Sequence, residues 1–582
     1  MKKIFLILLL FVSAVFAQSK IVISNISKLK DAVNTASPGD TIQIKNGKYD
    51  TGGSVRITNS GTTDKPIVIA AESVGEVELT GDSYFDFRQC ANIVLEGIKF
   101  TSTDYTVIKL QACNNIRITR NIFKLKETSS LKWILIGGVW NDPTAMSSYN
   151  RIDHNLFEGK TQPGNFITID GSPEPTYKSS QHDRIDHNHF KNNNPRAVNE
   201  KESIRIGWSE LSMSSGYTTV EYNLFEDCNG DPEIISVKSC DDTVRYNTFR
   251  RCQGTLSLRH GNRSVVNNNY FFGDGVEGTG GIRIYGDDHK IYNNYFEGLK
   301  GTKWDAPITL TNGDYDGGSS YSKHFRINRA TIVYNTLIYN DHAFEIGYTN
   351  NGNYSKPPRD VVIANNLVVA DKNKIVDVIT QPINMKWSGN IFYTENSAEM
   401  GADFTEAMVL NTDPAIIKNN DLWFLSETSA AINKSAGDYT FVDKDIHNQT
   451  RNAVYDVGAD EYSTDVVYNL PLTEQEVGPF ARTVTTVENN IKSIPKSIIL
   501  SQNYPNPFNP ISNINYKIND FGHVKLSVYD VLGKEVLVLV DEVKSPGYYN
   551  IIFSGVNLTS GVYFYRLISG KNIFTRKMIL LK

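Results

Sequence analysis

The stretches "YNLF" (Tyr222–Phe225), "YNTF" (Tyr246–Phe249), "NNYF" (Asn268–Phe271) and a second "NNYF" (Asn293–Phe296) decide the fold. Each follows a run of β-branched and apolar residues and places an asparagine two residues before a phenylalanine. Asn223, Asn247, Asn269 and Asn294 are 24, 22 and 25 residues apart. The phrase continues upstream at Asn121, Asn155 and Asn188 and downstream at Asn335, Asn366 and Asn390. A β-sandwich also has many short strands, but it repeats no phrase at a coil-like period. The repeat therefore predicts an all-β, right-handed parallel β-helix, with loop insertions where the gaps lengthen. Asparagine is expected to take the left-handed turn between strands and to stack its amide from coil to coil. The Phe, Ile and Val positions are expected to fill the interior.

The ends of the repeat mark domains. "KLKDAVNTASPGDTIQIKNGKY" (Lys28–Tyr49) reads as a short amphipathic helix, a turn and a first strand, an N-terminal cap for the open solenoid end. Residues 1–17, with a basic start, a short apolar run and small residues at Val15 and Ala17, read as a secretory signal peptide. No other segment is apolar enough to cross a membrane. After "DVGADEY" (Asp456–Tyr462) the phrase disappears. The expected organisation is a signal peptide over 1–17, a β-helix over 18–481, a linker over 482–498 and a small β-sandwich over 499–582.

In a chain of 582 residues, a net charge of −5 argues against nucleic acid as partner, and five cysteines do not make a disulfide scaffold. Cys228 and Cys252 each follow their asparagine by five residues and would stack, either as a disulfide or as buried free thiols.

Counting back from the asparagines places charged residues on one patch. Lys238, Arg259 and Tyr285 align on successive coils, with Ser236, Ser257 and Arg283 two residues earlier. Asp231 and Glu233 precede them, though a bend leaves the facing of those two open. One coil back, "NEKESIRIG" brings Asn199, Glu202 and Arg205 toward the carboxylates. Like charges stacked directly repel, so Lys238 over Arg259 calls for an anionic occupant. An acidic sugar polymer cleaved by β-elimination uses every part. Asn199, Asp231 and Glu233 offer oxygens suited to Ca²⁺, which would quiet the uronate carboxylate. Lys238, with cations close by to lower its pKa, would take the C5 proton. Arg259 would stabilise the leaving O4. Arg283, Tyr285, His260 and Arg205 would contact the chain.

"NEKESIRIG", "EIISVKS", "CQGTLSLRHGN" and "GGIRIYGDDHKIYNNYF", with the "PGDTI" start and "DVGADEY" close, resemble polysaccharide lyase family 6, which contains alginate lyases and the dermatan-cleaving chondroitinase B. The resemblance runs from about Ile21 to Phe480. It implies calcium-assisted β-elimination with a lysine base and an arginine acid, matching Lys238 and Arg259. It also implies an Asn and two acidic metal ligands, matching Asn199, Asp231 and Glu233, although the first acidic position is commonly Glu. "NYPNPFNP" and "YDVLGKEV" resemble the C-terminal sorting domain of the type IX secretion system. The expected protein is a secreted or cell-surface lyase for an anionic polysaccharide, with alginate first and dermatan or chondroitin sulfate second. Its other expected partner is the type IX machinery. A non-catalytic polysaccharide-binding β-helix and a pectin-type hydrolase using Asp231 and Glu233 are the alternatives from other classes.

Overall fold

The computed structural model describes residues 19–481 and 498–581, except 104, 140–141, 143, 173–176, 198, 420, 464–466, 504, 519–521, 545–546 and 557. The expected signal peptide and nearly all of the expected linker lie outside the described residues. The chain divides into two compact units, residues 1–462 with 469–485 and residues 463–468 with 486–582.

The larger unit is a right-handed parallel β-helix of three sheets with 14, 12 and 14 strands. A representative coil runs through Thr219–Glu221 in the first sheet, Leu224–Cys228 in the second and Glu233–Lys238 in the third, the 12-stranded one. Strands pair in parallel with the same sheet of the next coil, as Phe225 does with Phe249. Consequently the repeated phenylalanines stack: rings of Phe100, Phe123, Phe157, Phe190, Phe225, Phe249, Phe271 and Phe296 follow one another at centroid spacings of 4.6–4.9 Å. That spacing is the inter-strand distance itself, so each ring fills the core slot above its predecessor.

The asparagines form an unbroken ladder from Asn121 to Asn390. Each Nδ2 donates to the Oδ1 of the next asparagine at 2.9–3.0 Å. The left-handed turn belongs to the residue before: Arg120, His154, His187, Tyr222, Tyr246 and Asn268 have φ of 53–56°. The expectation that asparagine itself takes the left-handed conformation is thus corrected. Asparagine is needed for its amide, which carries donors and an acceptor on one short arm and satisfies buried backbone groups on the neighbouring coils.

The N-terminal helix, Leu29–Thr35, buries Leu29 and Val33. Asn59 Nδ2 donates to the carbonyls of Val33 and Ala36 at its C-terminal end, at 2.9 and 2.8 Å. All five cysteines are buried and free, so Cys228 and Cys252 form no disulfide. Burial and the neighbouring Cys228 push the Cys252 thiol well above its ordinary range.

The smaller unit has two antiparallel sheets. One joins Ile499–Leu500, Ile511–Ile518 and Gly547–Ser554; the other joins Glu535–Lys544, Gly522–Tyr529, Gly561–Ser569 and Asn572–Leu580. Ile514 and Tyr516 of the first pack with Leu526, Val528 and Tyr565 of the second in one core, a β-sandwich. Among the described residues no helix is long and apolar enough to cross a membrane.

Candidate active site

The third sheet carries the charged patch, and two β-bulges shape it. Between Glu233–Lys238 and Gly254–His260 the register runs Glu233 to Thr255, Ile235 to Leu256, Ser236 to Ser257 and Val237 to Leu258. Ile234 is therefore an extra residue on the first strand; it turns into the core, 1% exposed. Its insertion lets Glu233 face the same side as Ser236, whose hydroxyl donates to Glu233 Oε2. The facing that the sequence leaves open is fixed by this bulge.

A second irregularity follows at once, because Lys238 pairs with His260. Arg259 is the extra residue here. The expected direct stacking of Lys238 on Arg259 is thus corrected: the bulge displaces the guanidinium from the ladder and re-aims it. Both cations still converge on the carboxylates, with Lys238 Nζ 3.7 Å from Glu202 Oε1 and Arg259 Nε 3.8 Å from Glu233 Oε1.

Burial opposes ionisation of Glu233, but Lys238, Arg283 and Arg259 together hold its carboxyl below the ordinary range. Asp231 has the opposite balance. Its Oδ1 accepts from Glu233 N–H at 3.0 Å and its Oδ2 from Lys201 N–H at 3.2 Å, and no cation forms an ion pair with it among the described residues. Burial, Glu202 and Glu233 push its pKa up to about 7. Glu202, Asp231 and Glu233 are only 2%, 3% and 9% exposed. Glu202, Asp231 and Glu233 are oxygen donors of the kind a hard divalent cation takes, although their oxygens do not all lie within 4.8 Å of one another. Glu202 was placed near the carboxylates by counting but not among the ligands. Asn199 stands on an exposed segment, and among the described residues no hydrogen bond ties it to the carboxylates.

The residues expected to hold substrate divide differently. Arg283 is 5% exposed and fully engaged: Nη1 lies 3.4 Å from Glu233 Oε1, Nη2 3.3 Å from Asp305 Oδ1 and from Pro232 O, and Nε 3.2 Å from Trp304 O. It clamps Glu233 from within. Tyr285, 1% exposed, lies under the surface with its ring 4.8 Å from that of His324 and the Arg259 guanidinium 6.0 Å over it. His260 is 3% exposed, with Nδ1 3.4 Å from Arg259 Nη1 and Nε2 3.5 Å from Ser209 Oγ. Burial, Arg259 and Lys238 depress its pKa well below the ordinary value, so the ring is neutral and Nδ1 accepts from Arg259. Arg283 thus braces Glu233, while Tyr285 and His260 stand against Arg259. Arg205 pairs with Asp170, 3.0 Å away, one coil back.

Sequence reasoning missed His324, which burial, Arg259 and Arg283 also keep neutral. It arrives on an insertion after strand Ile308–Leu310, and its Nε2 lies 3.2 Å from Tyr354 Oη. Tyr354 belongs to "NNGNYSKPP" (Asn350–Pro358), a stretch whose sequence suits either a loop that closes the cleft or a plain solvent loop. Gly313 and Lys356 exchange two backbone hydrogen bonds of 2.8 Å, which join the two insertions beside the site. Neither residue carries a repeat signal; only the excess gap between Asn294 and Asn366 marks the insertions.

His189, Glu226 and Glu474 form a separate group. It sits at the second sheet and is already paired: His189 with Glu226 at 2.8 Å, and Glu474 with Lys191 at 2.6 Å.

The chondroitinase B family model matches residues 23–456, which span every strand of the site. The chain belongs to the chondroitinase B family. A secretion system C-terminal sorting domain matches residues 502–581. Among solved structures, a mutant of the polysaccharide lyase family 6 alginate lyase AlyGC is 27% identical with a TM-score of 0.62, over 78% of this chain and 59% of that one. The non-mutant AlyGC is 25% identical, with a TM-score of 0.59 over 77% and 60%. This chain thus spans less than two thirds of AlyGC's length. A mannuronic acid specific family 6 lyase from human gut microbiota shares the fold at 24% identity, with a TM-score of 0.57 over 68% and 92%. No curated protein matches this chain.

Proposed function

We propose that this family member is an exported polysaccharide lyase that cleaves a uronate polymer, alginate first, by β-elimination. The observation that carries the reading is the convergence of Lys238 and Arg259 on one face, each within 4 Å of a buried carboxylate. A hydrolase needs a free acid and base pair of carboxylates, whereas Glu233 is tied to Arg283, Ser236 and Ser257. A passive binding surface gives no reason to bury three carboxylates under two cations.

Asp231, Glu233 and Glu202, with Asn199 at the exposed edge, would hold Ca²⁺. When bound, that ion supplies charge neutralisation for the substrate carboxylate and so acidifies the adjacent C–H. Lys238 Nζ accepts the C5 proton as an amine. Arg259, aimed by His260 Nδ1 and backed by Tyr285, donates to the glycosidic O4 as it leaves. Arg283 holds Glu233 in place, and Arg205 stands at the N-terminal side of the reacting sugar. The sorting domain at 502–581 supports export through the type IX machinery to the cell surface or medium.

The family model's own description favours a second substrate reading, dermatan or chondroitin sulfate. Incubating the purified protein with alginate, polymannuronate, polyguluronate and dermatan sulfate separates the readings. The expected result is ultraviolet absorbance from unsaturated uronate with one of the alginate polymers; reducing ends without that absorbance mean hydrolysis and overturn the proposal.

A further inference from the structure

N-terminal to the site, the third sheet keeps a basic face. Arg56 and Arg88 share Asp86, at 3.0 and 2.9 Å; Lys132 and Arg205 share Asp170, at 3.4 and 3.0 Å. Lys109 lies over the Tyr84 ring, 5.2 Å from its centroid, and forms no ion pair among the described residues. Five cations thus stand against two carboxylates, a surplus suited to a polyanion lying along the coils.

Within this face is a depression of about 250 Å³ lined by Lys109, Leu135, Gly137, Asp170, Gly171 and Trp208. Two of the glycines around it are required by the backbone. A Cβ at Gly138 would come within 2.6 Å of Ala145 O, and one at Gly171 within 2.2 Å of Lys178 O. Gly137 is different. It ends the strand Ile134–Gly137, and a Cβ there would meet Asp170 Cβ at 3.5 Å, an ordinary contact. The strand would accept a side chain at Gly137, and that side chain would occupy the depression. The indole of Trp208 forms one wall, and its Nε1–H has no partner among the described residues.

We infer that this depression is a distal subsite for an anionic sugar of the same polymer, with Trp208 as the apolar wall and Lys109 as the carboxylate partner. Gly137 and Lys109 stand three and four strand steps from Lys238, about 14 and 19 Å along the axis, while Trp208, next to the Gly207 that pairs with Lys238, closes the end nearer the site, so a bound chain reaches Lys109 only when it is several sugars long. The subsite rests on the anionic-polysaccharide reading above and adds to it a preference for long chains.

The test uses the full chain and two substrates, polymeric alginate and a uronate trimer, with Gly137→Val and Lys109→Ala compared with wild type. Melting curves by circular dichroism establish that each variant folds. Both variants are expected to raise KM for the polymer by about tenfold with kcat unchanged, and to leave trimer kinetics as they were. An equal change on trimer and polymer, or no change on the polymer, overturns the subsite. Calorimetric binding of the polymer to wild type and Gly137→Val runs in parallel. Unchanged affinity overturns the subsite even where no unsaturated product forms, whereas absence of product from wild type with weakened binding in Gly137→Val refutes the lyase reading alone.

Discussion

Lys238 lies opposite His260 on the next coil, and Arg259 is pushed out of the ladder between them. Directly opposed cations on parallel strands repel. The bulge removes that conflict by placing a neutral imidazole opposite the amine. It also frees the guanidinium to reach Glu233 from one side while Lys238 reaches Glu202 from the other. The bulge therefore makes a two-cation site compatible with a continuous sheet.

If those two cations do the chemistry, Lys238→Ala and Arg259→Ala should each lower kcat by roughly 10²–10⁴-fold. Each side chain also compensates a buried carboxylate, so both variants should melt at a lower temperature than wild type while remaining folded at the assay temperature. Initial rates from unsaturated-uronate absorbance, set beside thermal melts, check this. A variant that keeps wild-type turnover removes its residue from the mechanism.

His260 is argued to act through Arg259. His260→Ala should lower kcat about tenfold by leaving the guanidinium without its acceptor. His260→Gln, which returns an acceptor of similar reach, should recover most of the loss. If Ala and Gln are equally impaired, the ring matters only for packing.

The coil stack was legible because its signal is repeated: an asparagine two residues before a phenylalanine recurs wherever the ladder needs a rung. The patch was legible to the level of which strands meet, since counting back from Asn247 and Asn269 with a one-residue offset finds Ser236 opposite Ser257, as observed. Carrying that offset on to Lys238 gives Arg259 as its neighbour, whereas the bulge, which has no composition cue, cancels the offset there: Lys238 and His260, each nine residues before its asparagine, are the pair. Burial was also hidden. Arg283 and Tyr285 sit at outward positions of an exposed sheet by alternation, yet Trp304, Asp305 and the insertion carrying His324 cover them. Those covers come from loops whose positions are set by tertiary contacts rather than by period.

The carboxylate geometry makes Glu202 a donor that the motif alone does not name. Glu202→Gln should raise the Kd for Ca²⁺ at least tenfold in a calorimetric titration, since a charged ligand becomes a neutral one in a buried set. Calcium should raise the melting temperature of wild type by relieving repulsion around Asp231, and a chelator should reverse it. Unchanged affinity in Glu202→Gln would restrict the site to Asn199, Asp231 and Glu233.

Asn247 tests the ladder. Its Nδ2 donates to Asn269 Oδ1, Val220 O and Arg245 O, and its Oδ1 accepts both N–H and Nδ2–H of Asn223. Asn247→Ala leaves the buried Asn223 N–H without a partner, at a cost of about 3 kcal/mol. Chemical denaturation monitored by circular dichroism should show the transition moved to lower denaturant. A shift no larger than that of a surface substitution would mean that the coils hold without the amide chain.

Asp242 supplies a pH signature independent of the site. It is fully buried, accepts from Thr218 N–H at 2.9 Å and Ser239 Oγ–H at 2.6 Å, and has no ion pair among the described residues. Burial pushes its pKa up to about 7, and the two hydrogen bonds only partly offset this. The unfolded carboxyl titrates near 4, so between pH ~4 and ~7 the folded state holds the proton more tightly than the unfolded one. Stability from this group is full below pH ~4, falls as pH rises toward 7, and is flat above, by on the order of 2–4 kcal/mol in all. Asp242→Asn carries no charge to bury and should flatten that part of the stability–pH curve, leaving the variant more stable than wild type at pH 8. Denaturation midpoints at pH 5 and pH 8 decide it, and a variant with the wild-type slope would place the ionisation elsewhere in the coil stack.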